Sequence, residues 1–353
     1  MALGFILKLL LRTTKKQPRN YNKMNDLRKT FQQKKPHQAQ TQPEVAVRLY
    51  TVTDDDAGQR LDNFLLRICK GVPKTWVYRV IRKGEVRVNK GRVDAEYKLA
   101  LGDVVRIPPV RVAEPTLSAV PKSRAVTLPV VFEDDYLLVI NKPAGLAVHG
   151  GSGISFGVIE QLRAAYPHQK FLELVHRLDR ETSGLLILAK KRSALVFMHE
   201  QIRAGHMDKR YYAILKGELA EKETHVKAPL YKYLTPSGER RVQVQDGGQP
   251  SHSRFNVNQI LQGYTAVRVK IYTGRTHQIR VHSAFLGHCI VGDEKYGDFE
   301  LNKQLAKQKH TRMFLHAQEL KIKHPATGEV LSLRSDLPAE FVAFIDAHAK
   351  TSV

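Results

Sequence analysis

The chain has 353 residues, and its 57 Lys and Arg residues against 34 Asp and Glu residues give a formal net charge of +23. A surplus of this size indicates a polyanionic partner, whereas 42% hydrophobic residues exclude a wholly disordered basic chain and suffice for about two domains. The two cysteines, Cys69 and Cys289, are far apart, which excludes a disulfide framework and a thiolate zinc site and is typical of the reducing cytoplasm.

The first fifty residues are basic and polar, with 11 Lys and Arg residues but only 2 Asp and Glu residues. We expect residues 1–50 to be a disordered extension. Translated upstream sequence, with Met24 as the start, and a mitochondrial transit peptide are the alternatives. The apolar stretch at residues 2–11 is much shorter than the roughly 20 residues of a spanning helix, so we expect no membrane partner.

The sequence of residues 51–108 predicts a small domain of two helices followed by strands. Apolar residues spaced i, i+3, i+4 and i+7 from Leu61 predict the first helix. Thr75 is a suitable N-cap for the second helix, and Gly84 is placed to end it. Alternating valines and the turn residues at 89–91 then predict a strand and a hairpin.

This small domain carries charges of almost one sign. Residues 70–92 include eight basic residues and a single acid, Glu85. A charge run is usually a solvated face, but such a face ordinarily mixes signs, so we favour contact with a nucleic-acid backbone. The candidate RNA-binding residues are Lys74, Arg79, Arg82, Lys83, Arg87 and Lys90.

Three runs in the small domain resemble an S4 RNA-binding domain. They are GQRLDNFL at 58–65, IRKGEVRVNKG at 81–91 and LGDVVRI at 101–107. The resemblance implies that the second helix and the hairpin dock on structured RNA.

The rest of the chain predicts a stiff linker and a larger domain. Prolines are frequent at 109–123, which is typical of an extended linker. From 124 to 348, predicted strands outnumber predicted helices, so we expect an α+β fold with a mixed, mostly antiparallel sheet. No glycine-rich phosphate loop is present, which argues against nucleotide hydrolysis.

The segment VHRLDRETSG at 175–184 has the character of a site. An apolar lead-in ends in a polar loop before a buried run resumes. In an extended stretch, Arg177 and Asp179 point to the same side while Leu178 faces the core. Flanking arginines favour the carboxylate form of Asp179, which could then act as a nucleophile or a base. An ordinary Arg–Asp ion pair at a strand end is the alternative.

A second segment, TGRTHQIRVH at 273–282, predicts a helix capped by Thr276 that carries Ile279 and Phe285. Arg280 lies near the start of that helix, where the helix dipole disfavours a cation. We therefore expect it to have a carboxylate or phosphate partner, although a surface arginine is the alternative. His277 and a histidine five residues later lack the i, i+4 spacing of a helical metal pair, so we predict no metal site.

At these segments the chain resembles the pseudouridine synthases of the ribosomal large-subunit type. Four blocks carry the resemblance: NKPAGLAVHGG at 141–151, FLELVHRLDRETSG at 171–184, KRYYAILKG at 209–217 and GRTHQIRVH at 274–282. The block around His-Arg-Leu-Asp is highly specific. Together with the S4-like domain, the resemblance covers residues 51–345 and leaves the first fifty residues unmatched.

The resemblance implies roles for individual residues. Asp179 would be the catalytic carboxylate, Tyr211 the ring stacked on the target base, Arg280 the partner of Asp179, and Arg177 the side chain that fills the gap left by a flipped-out uridine. By pattern alone, Tyr211 is a strand residue with a buried ring. The further candidates for substrate binding are His176, Arg275 and His277.

The implied activity is isomerisation of uridines in 23S rRNA to pseudouridine, with no cofactor, by a cytoplasmic monomer. Covalent attack on the sugar and proton abstraction by Asp179 are both open. A synthase acting on other RNA, such as tRNA, and a non-catalytic rRNA-binding assembly factor are the alternative functions.

Overall fold

The computed structural model describes residues 46–69, 71–110, 128–150 and 156–350. Most of the predicted basic extension and most of the predicted linker therefore lie outside the described residues. The first strand, β1 (Arg48–Thr51), begins within the last residues assigned to that extension. No helix in the described ranges is both long enough and apolar enough to cross a membrane.

The first elements form a small domain of two helices and a three-stranded antiparallel sheet of order β1-β3-β2. After β1 they are α1 (Leu61–Ile68), α2 (Lys74–Arg82), β2 (Arg87–Val88) and β3 (Val104–Ile107). The apolar stripes of both helices share one core with the sheet, in which Phe64, Val77 and Val105 are fully buried. The two predicted helices are followed by strands as expected, but the sequence did not predict β1, which precedes the helices and pairs with β3.

The residues at the two ends of α2 differ in part from those predicted to begin and end the helix. Pro73, with φ −62° and ψ 146°, occupies the N-cap position, so the prediction that Thr75 caps the helix was wrong. The proline ring fixes φ at a value suited to a helix start. Gly84 adopts φ +70° directly after the helix, as predicted. Asn89 and Lys90 both have positive φ and form the predicted two-residue hairpin turn.

The larger domain is built on a ten-stranded sheet of order β4-β5-β7-β14-β8-β13-β12-β9, with β15 paired to β14 and β6 paired to β7. Only the β7–β14 pair is parallel among the described strands. The α+β class and the mostly antiparallel sheet are therefore confirmed. The strands are β4 (Val130–Glu133), β5 (Leu137–Lys142), β6 (Glu173–Leu174), β7 (Ser183–Ala189), β8 (Asp208–Lys216), β9 (Glu223–Val226), β12 (Ser253–Leu261), β13 (Tyr264–Ile271), β14 (Leu315–Lys323) and β15 (Val330–Arg334).

Apolar layers cover both faces of the central strands. All seven residues of β7 are buried, and alternate residues enter different clusters: Leu186 packs with Tyr211, whereas Ile187 packs with Met198. Burial on both faces explains why β7 reads as a continuous apolar run. The helices of this domain are α3 (Val158–Ala165), α4 (Arg192–Arg203), α5 (Gln278–Phe285), α6 (Phe299–Lys307) and α7 (Ala339–Ala347).

Two strands stand apart from the main sheet. β10 (Leu230–Leu234) and β11 (Arg240–Val244) form a separate two-stranded antiparallel hairpin. Its apolar residues Leu230 and Val242 pack on Val281 of α5, the helix that carries Arg280. This contact holds the hairpin beside the segment predicted to form part of the site.

Candidate active site

A cavity of about 380 Å³ brings the two predicted site segments together. Its lining includes Arg177 and Asp179 from the first segment, His277 and Arg280 from the second, and Tyr211 from β8. The remaining predicted substrate-binding residues, His176 and Arg275, also line it. All seven predicted catalytic and substrate-binding residues thus surround one space, whose volume suits a small-molecule-sized group such as a nucleotide base.

The loop before β7 presents Asp179. Leu178 is 5% exposed and anchors the loop in the core, whereas Arg177 is exposed, as the alternation predicted. The backbone N–H of Thr182 donates to the carbonyl of Asp179 at 3.1 Å. Two residues after Thr182, Gly184 has φ +109°, and a Cβ there would overlap the backbone of Ala317. Glycine at this position therefore permits the close approach of β7 to β14 that follows the loop.

Arg280 has two carboxylate partners, and the principal one is Asp293. Its Nε and Nη2 each donate to an oxygen of Asp293 at 2.7 Å, and its Nη1 donates to Asp179 at 3.3 Å. Although burial disfavours the cation, the two carboxylates raise the pKa of Arg280. Burial also opposes the charge on Asp293, but Arg280 and two backbone N–H groups hold the pKa of Asp293 below its ordinary value. Arg280 thus has two carboxylate partners, where the sequence led us to expect one carboxylate or phosphate.

The helix that carries Arg280 begins one residue later than predicted. His277, not Thr276, occupies the N-cap position of α5, with a left-handed backbone at φ +54°. The side-chain oxygen of Gln278 accepts hydrogen bonds from the backbone N–H of Arg275 at 3.0 Å and from the Thr273 hydroxyl at 2.7 Å. Gln278 therefore braces the turn that Thr276 was expected to cap. Of the two apolar residues that the predicted helix carries, Ile279 is buried, whereas Phe285 is 60% exposed.

His277 is oriented by a tyrosine that no sequence motif indicated. The backbone N–H of Val242 donates to the Tyr296 hydroxyl at 3.0 Å, so the tyrosine proton is free to be donated to His277 Nδ1, 2.7 Å away. In neutral His277 the ring proton then lies on Nε2, which faces Asp179 at 3.9 Å. Burial lowers the pKa of His277 and raises the pKa of Tyr296 to about 12, which favours the neutral forms of both.

Tyr211 provides an aromatic wall beside Asp179. Its ring is only 9% exposed and packs in the main core while also lining the cavity. Burial, reinforced by the charge of Asp179, raises the pKa of Tyr211, so its hydroxyl stays protonated. The buried strand position inferred from pattern and the position beside the catalytic carboxylate implied by the resemblance are therefore compatible.

The other two predicted substrate-binding residues differ in character. Burial lowers the pKa of His176 to about 3, and its Nε2 accepts a hydrogen bond from the Ile187 backbone N–H at 3.2 Å. His176 is therefore a neutral ring tied to β7. Arg275 is anchored by its Nε, which donates to the carbonyl of Pro250 at 3.1 Å.

Lys142 is a further component of the site that residue-level reasoning missed. It is fully buried, and its Nζ donates to the carbonyls of Pro143, Leu146 and Arg180 at 2.8, 2.8 and 3.0 Å. It thus ties the block at 141–151 to the residue after Asp179. Burial lowers the pKa of Lys142 to about 7, against the charges of Glu181 and Asp179. Its position in that block was the only signal in the sequence.

The six candidate RNA-binding residues lie on the small domain and are all exposed. Lys74, Arg79 and Arg82 belong to α2, Lys83 follows it, Arg87 lies in β2 and Lys90 in the hairpin turn. Within the described part of the chain, none of the six has an acidic side chain as an ion-pair partner. This surface, the α2–hairpin basic face, therefore keeps its positive charge available to an anionic partner.

Metal ligation has no candidate in the described ranges. No group of three or more His, Cys, Asp or Glu side chains there is arranged to hold a metal ion. The carboxylates of the cavity are directed at Arg280 instead.

Comparison with known proteins defines the class. Residues 59–105 match the S4 domain model, and residues 136–285 match the model of RNA pseudouridylate synthase. Two solved human structures are similar, RNA Pseudouridylate Synthase Domain Containing 1 and Domain Containing 4. They are 25% and 28% identical, with TM-scores of 0.52 and 0.51, and the matches cover 64% and 62% of this chain and 91% and 92% of those chains.

Two curated relatives are much more similar in sequence. Ribosomal large subunit pseudouridine synthase C of Yersinia pestis is 53% identical over 82% of this chain and 92% of its own length. The protein of the same name from Escherichia coli K12 is 53% identical over 83% of this chain and 93% of its own length. The chain belongs to the RNA pseudouridine synthase family and is an isomerase with an S4 domain.

Proposed function

We propose that the protein converts selected uridines of 23S rRNA into pseudouridine, with Asp179 as the catalytic carboxylate. The observation that carries the proposal is the position of Asp179, which pairs with the Arg280 guanidinium and lines the same cavity as Tyr211. The names of the relatives from Yersinia pestis and Escherichia coli support the ribosomal large subunit as the source of the substrate.

The reaction is an isomerisation, so its atoms balance without a second substrate. The bond between ribose C1′ and uracil N1 breaks, the base rotates, and a bond forms between C1′ and C5. The proton lost from C5 is balanced by one gained at N1. Because no electrons are transferred to or from the substrate, we expect the protein to need no cofactor. Asp179 supplies the carboxylate that acts on the ribose or on its proton.

The target base has to leave its stack before Asp179 can act on its sugar. Unstacking costs a few kcal/mol, which contacts with the flipped base and with the gap it leaves can offset. We assign Tyr211 to the flipped base because its ring forms the cavity wall, and Arg177 to the gap because it is exposed beside Asp179. His176, Arg275 and His277 would complete the contacts to the nucleotide.

The α2–hairpin basic face would hold the rRNA while the cavity acts on one nucleotide. Its unpaired cations suit the phosphate backbone, whose contacts give affinity without sequence information. We further propose that the protein acts as a monomer in the cytoplasm, where ribosomal RNA is processed.

The decisive variant is Asp179→Asn, which keeps the size and polarity of the side chain but removes its charge. We expect the variant to fold and to bind rRNA, while pseudouridine formation falls by at least about 1000-fold because the reacting group is lost. The measurement is pseudouridine mapping on 23S rRNA incubated with wild-type or variant protein.

Activity of the variant close to that of the wild type would overturn the role of Asp179. If the wild-type protein modified tRNA and left 23S rRNA unchanged, the assigned substrate would be wrong. Rescue of a ribosome-assembly defect by Asp179→Asn would favour the non-catalytic alternative.

A further inference from the structure

A second cavity lies directly beside the active-site cavity. It has a volume of about 710 Å³ and is bounded by the β10–β11 hairpin, the start of α5 and Lys295. Arg177, Thr276 and His277 line both cavities. The second cavity, called here the hairpin groove, therefore adjoins the cavity lined by Asp179.

The hairpin groove has an excess of positive charge. Of its five Lys and Arg residues, Arg241 and Lys295 both pair with Glu239. Arg177, Lys232 and Arg240 have no acidic partner among the described residues. Two lie on the hairpin and the third on the active-site loop, so the unpaired charge extends along the groove toward Asp179. Such an arrangement favours a phosphate-bearing ligand.

An exposed aromatic ring lines the same groove as these cations. Tyr231 is 45% exposed, whereas its neighbour in the strand, Leu230, is buried. Tyr231 and Lys232 are consecutive in β10, so their side chains leave the strand on opposite sides and offer separate contacts within the groove. An exposed tyrosine and unpaired lysine and arginine residues in one groove are the combination with which proteins bind single-stranded nucleic acid. The ring stacks on a base and the cations follow the backbone.

The hairpin is held rigidly enough to act as a fixed wall. Leu230 and Val242 are 3% and 4% exposed and pack on α5. Nη1 of Arg241 donates to the carbonyl of Lys295 at 3.1 Å, and the backbone N–H of Val242 donates to the Tyr296 hydroxyl at 3.0 Å. The groove is therefore attached to the same residues that orient His277, and its shape is preorganised for a ligand.

We propose that the hairpin groove binds a nucleotide of the same RNA strand, adjacent to the flipped uridine. Its base stacks on Tyr231, and the phosphates of the neighbouring nucleotides contact Lys232 and Arg240. The inference rests on the proposed function, since it requires a strand that enters the active-site cavity. Because the two cavities share Arg177 and His277, a strand with one base in the first cavity passes the second within a nucleotide or two. The groove would contribute to the choice of uridine.

The aromatic part of the proposal is tested by Tyr231→Ala. Stacking of one base is worth roughly 1–3 kcal/mol, so KM for an rRNA fragment should rise between about 5-fold and 150-fold while kcat at saturation stays near that of the wild type. The matched control is Tyr272→Ala, since Tyr272 is 42% exposed but does not line the groove. Equal KM values for the two variants would overturn the assignment of Tyr231.

The charged part is tested by the double variant Lys232→Ala/Arg240→Ala. Each lost contact to a single-stranded phosphate should reduce the slope of log affinity against log salt by about 0.7, giving a total near 1.4. The control is Lys307→Ala/Lys321→Ala, which removes two exposed lysines outside the groove. A slope equal to that of the control would refute phosphate binding in the groove.

The inference and the proposed function fail in different ways. If the wild type forms no pseudouridine in 23S rRNA, the proposed function fails. If the wild type is active but neither groove variant differs from its control, only the groove assignment fails. Loss of kcat without a change in KM would also contradict it, because that result places Tyr231 in the chemical step.

Discussion

At the residue scale, the active-site cavity is organised by one arginine shared between two carboxylates. Asp293 receives two short, charge-assisted hydrogen bonds from Arg280, whereas Asp179 receives one longer bond. The short bonds fix the guanidinium in place. Asp179 therefore lies beside a positioned positive charge and keeps most of its own hydrogen-bonding capacity for a ligand, which suits the catalytic role proposed for it.

Tyr296 is the residue-scale feature most open to test, because its hydroxyl sets the tautomer of His277. Tyr296→Phe keeps the ring, over which the Arg280 guanidinium lies at 5.1 Å, but removes the hydrogen bond to Nδ1. Without this hydrogen bond, worth about 1 kcal/mol, His277 is less well oriented. We therefore expect kcat to fall roughly 5-fold to 10-fold, with little change in KM. Single-turnover pseudouridine formation at saturating RNA measures the effect.

A tyrosine outside the cavity provides the control for this variant. The hydroxyl of Tyr212 is also hydrogen-bonded, to Asn258 at 3.0 Å, but Tyr212 does not line the cavity. Tyr212→Phe should leave kcat unchanged. If both variants had the same kcat, Tyr296 would have only a structural role.

At the element scale, the single parallel pair, β7 with β14, supports the active-site loop. Ser183 follows that loop, pairs with His316 in register, and shares a hydrogen bond with His316 Nδ1 at 2.9 Å. Nη2 of Arg312 donates to the Ser183 hydroxyl at 2.6 Å. Because its oxygen accepts from Arg312, the Ser183 hydroxyl can donate its proton to Nδ1 of neutral His316, whereas a protonated His316 could not accept that bond.

This strand pair should make the fold sensitive to acid. Burial, reinforced by Arg312, lowers the pKa of His316 to about 4, against about 6.5 in the unfolded chain. The unfolded state then takes up the proton first, so stability is lost as the pH falls below about 6.5 and the loss ends near pH 4. Between pH 7 and pH 5 the loss from His316 should be about 2 kcal/mol.

Urea unfolding of the wild type and of His316→Asn at pH 7 and pH 5 measures how much His316 contributes to the pH dependence of the free energy of unfolding. The asparagine keeps a hydrogen-bonding side chain but cannot titrate, so its loss of stability between pH 7 and pH 5 should be smaller by about 2 kcal/mol. Comparing how the free energy of unfolding changes with pH in each protein removes the part of the substitution's cost that does not depend on pH. Equal changes in the two proteins would contradict the contribution assigned to His316.

At the scale of the whole molecule, the net charge of +23 divides by position. Residues 1–50 contain 11 of the basic and 2 of the acidic residues, and most of them lie outside the described residues. In the functions proposed here, the RNA is held by the α2–hairpin basic face and by the unpaired cations of the hairpin groove. Both surfaces belong to the part of the chain that matches the known models.

The basic face can be tested separately from the chemistry. Replacing Arg79, Arg82 and Lys83 with alanine should weaken rRNA affinity and lower its salt slope by up to about 3, since each phosphate contact to duplex RNA counts for about 0.9. The rate of the chemical step at saturation should not change. The control replaces Lys303, Lys307 and Lys321, which are exposed on the larger domain. A salt slope equal to that of the control would refute the assigned face.

Local signals in the sequence predicted much of the fold. The buried apolar run expected after residue 184 lies in β7, and Gly84, with positive φ, ended α2 as expected. The errors fell at helix starts. Thr75 and Thr276 have good capping side chains, but Pro73 and the bracing by Gln278 decided where α2 and α5 begin. Capping preferences are weak compared with such contacts.

The sequence by itself determined the class of the protein, because motif blocks and apolar periodicity are properties of neighbouring residues. It also indicated Asp179 and Arg280 as a pair. Only the tertiary structure decided how that pair is held: Asp293, Tyr296 and Lys142 reach the site through contacts between distant segments. A buried charge needs a partner, because burial without one costs free energy. The spacing of residues along the chain does not show which distant polar group will be that partner.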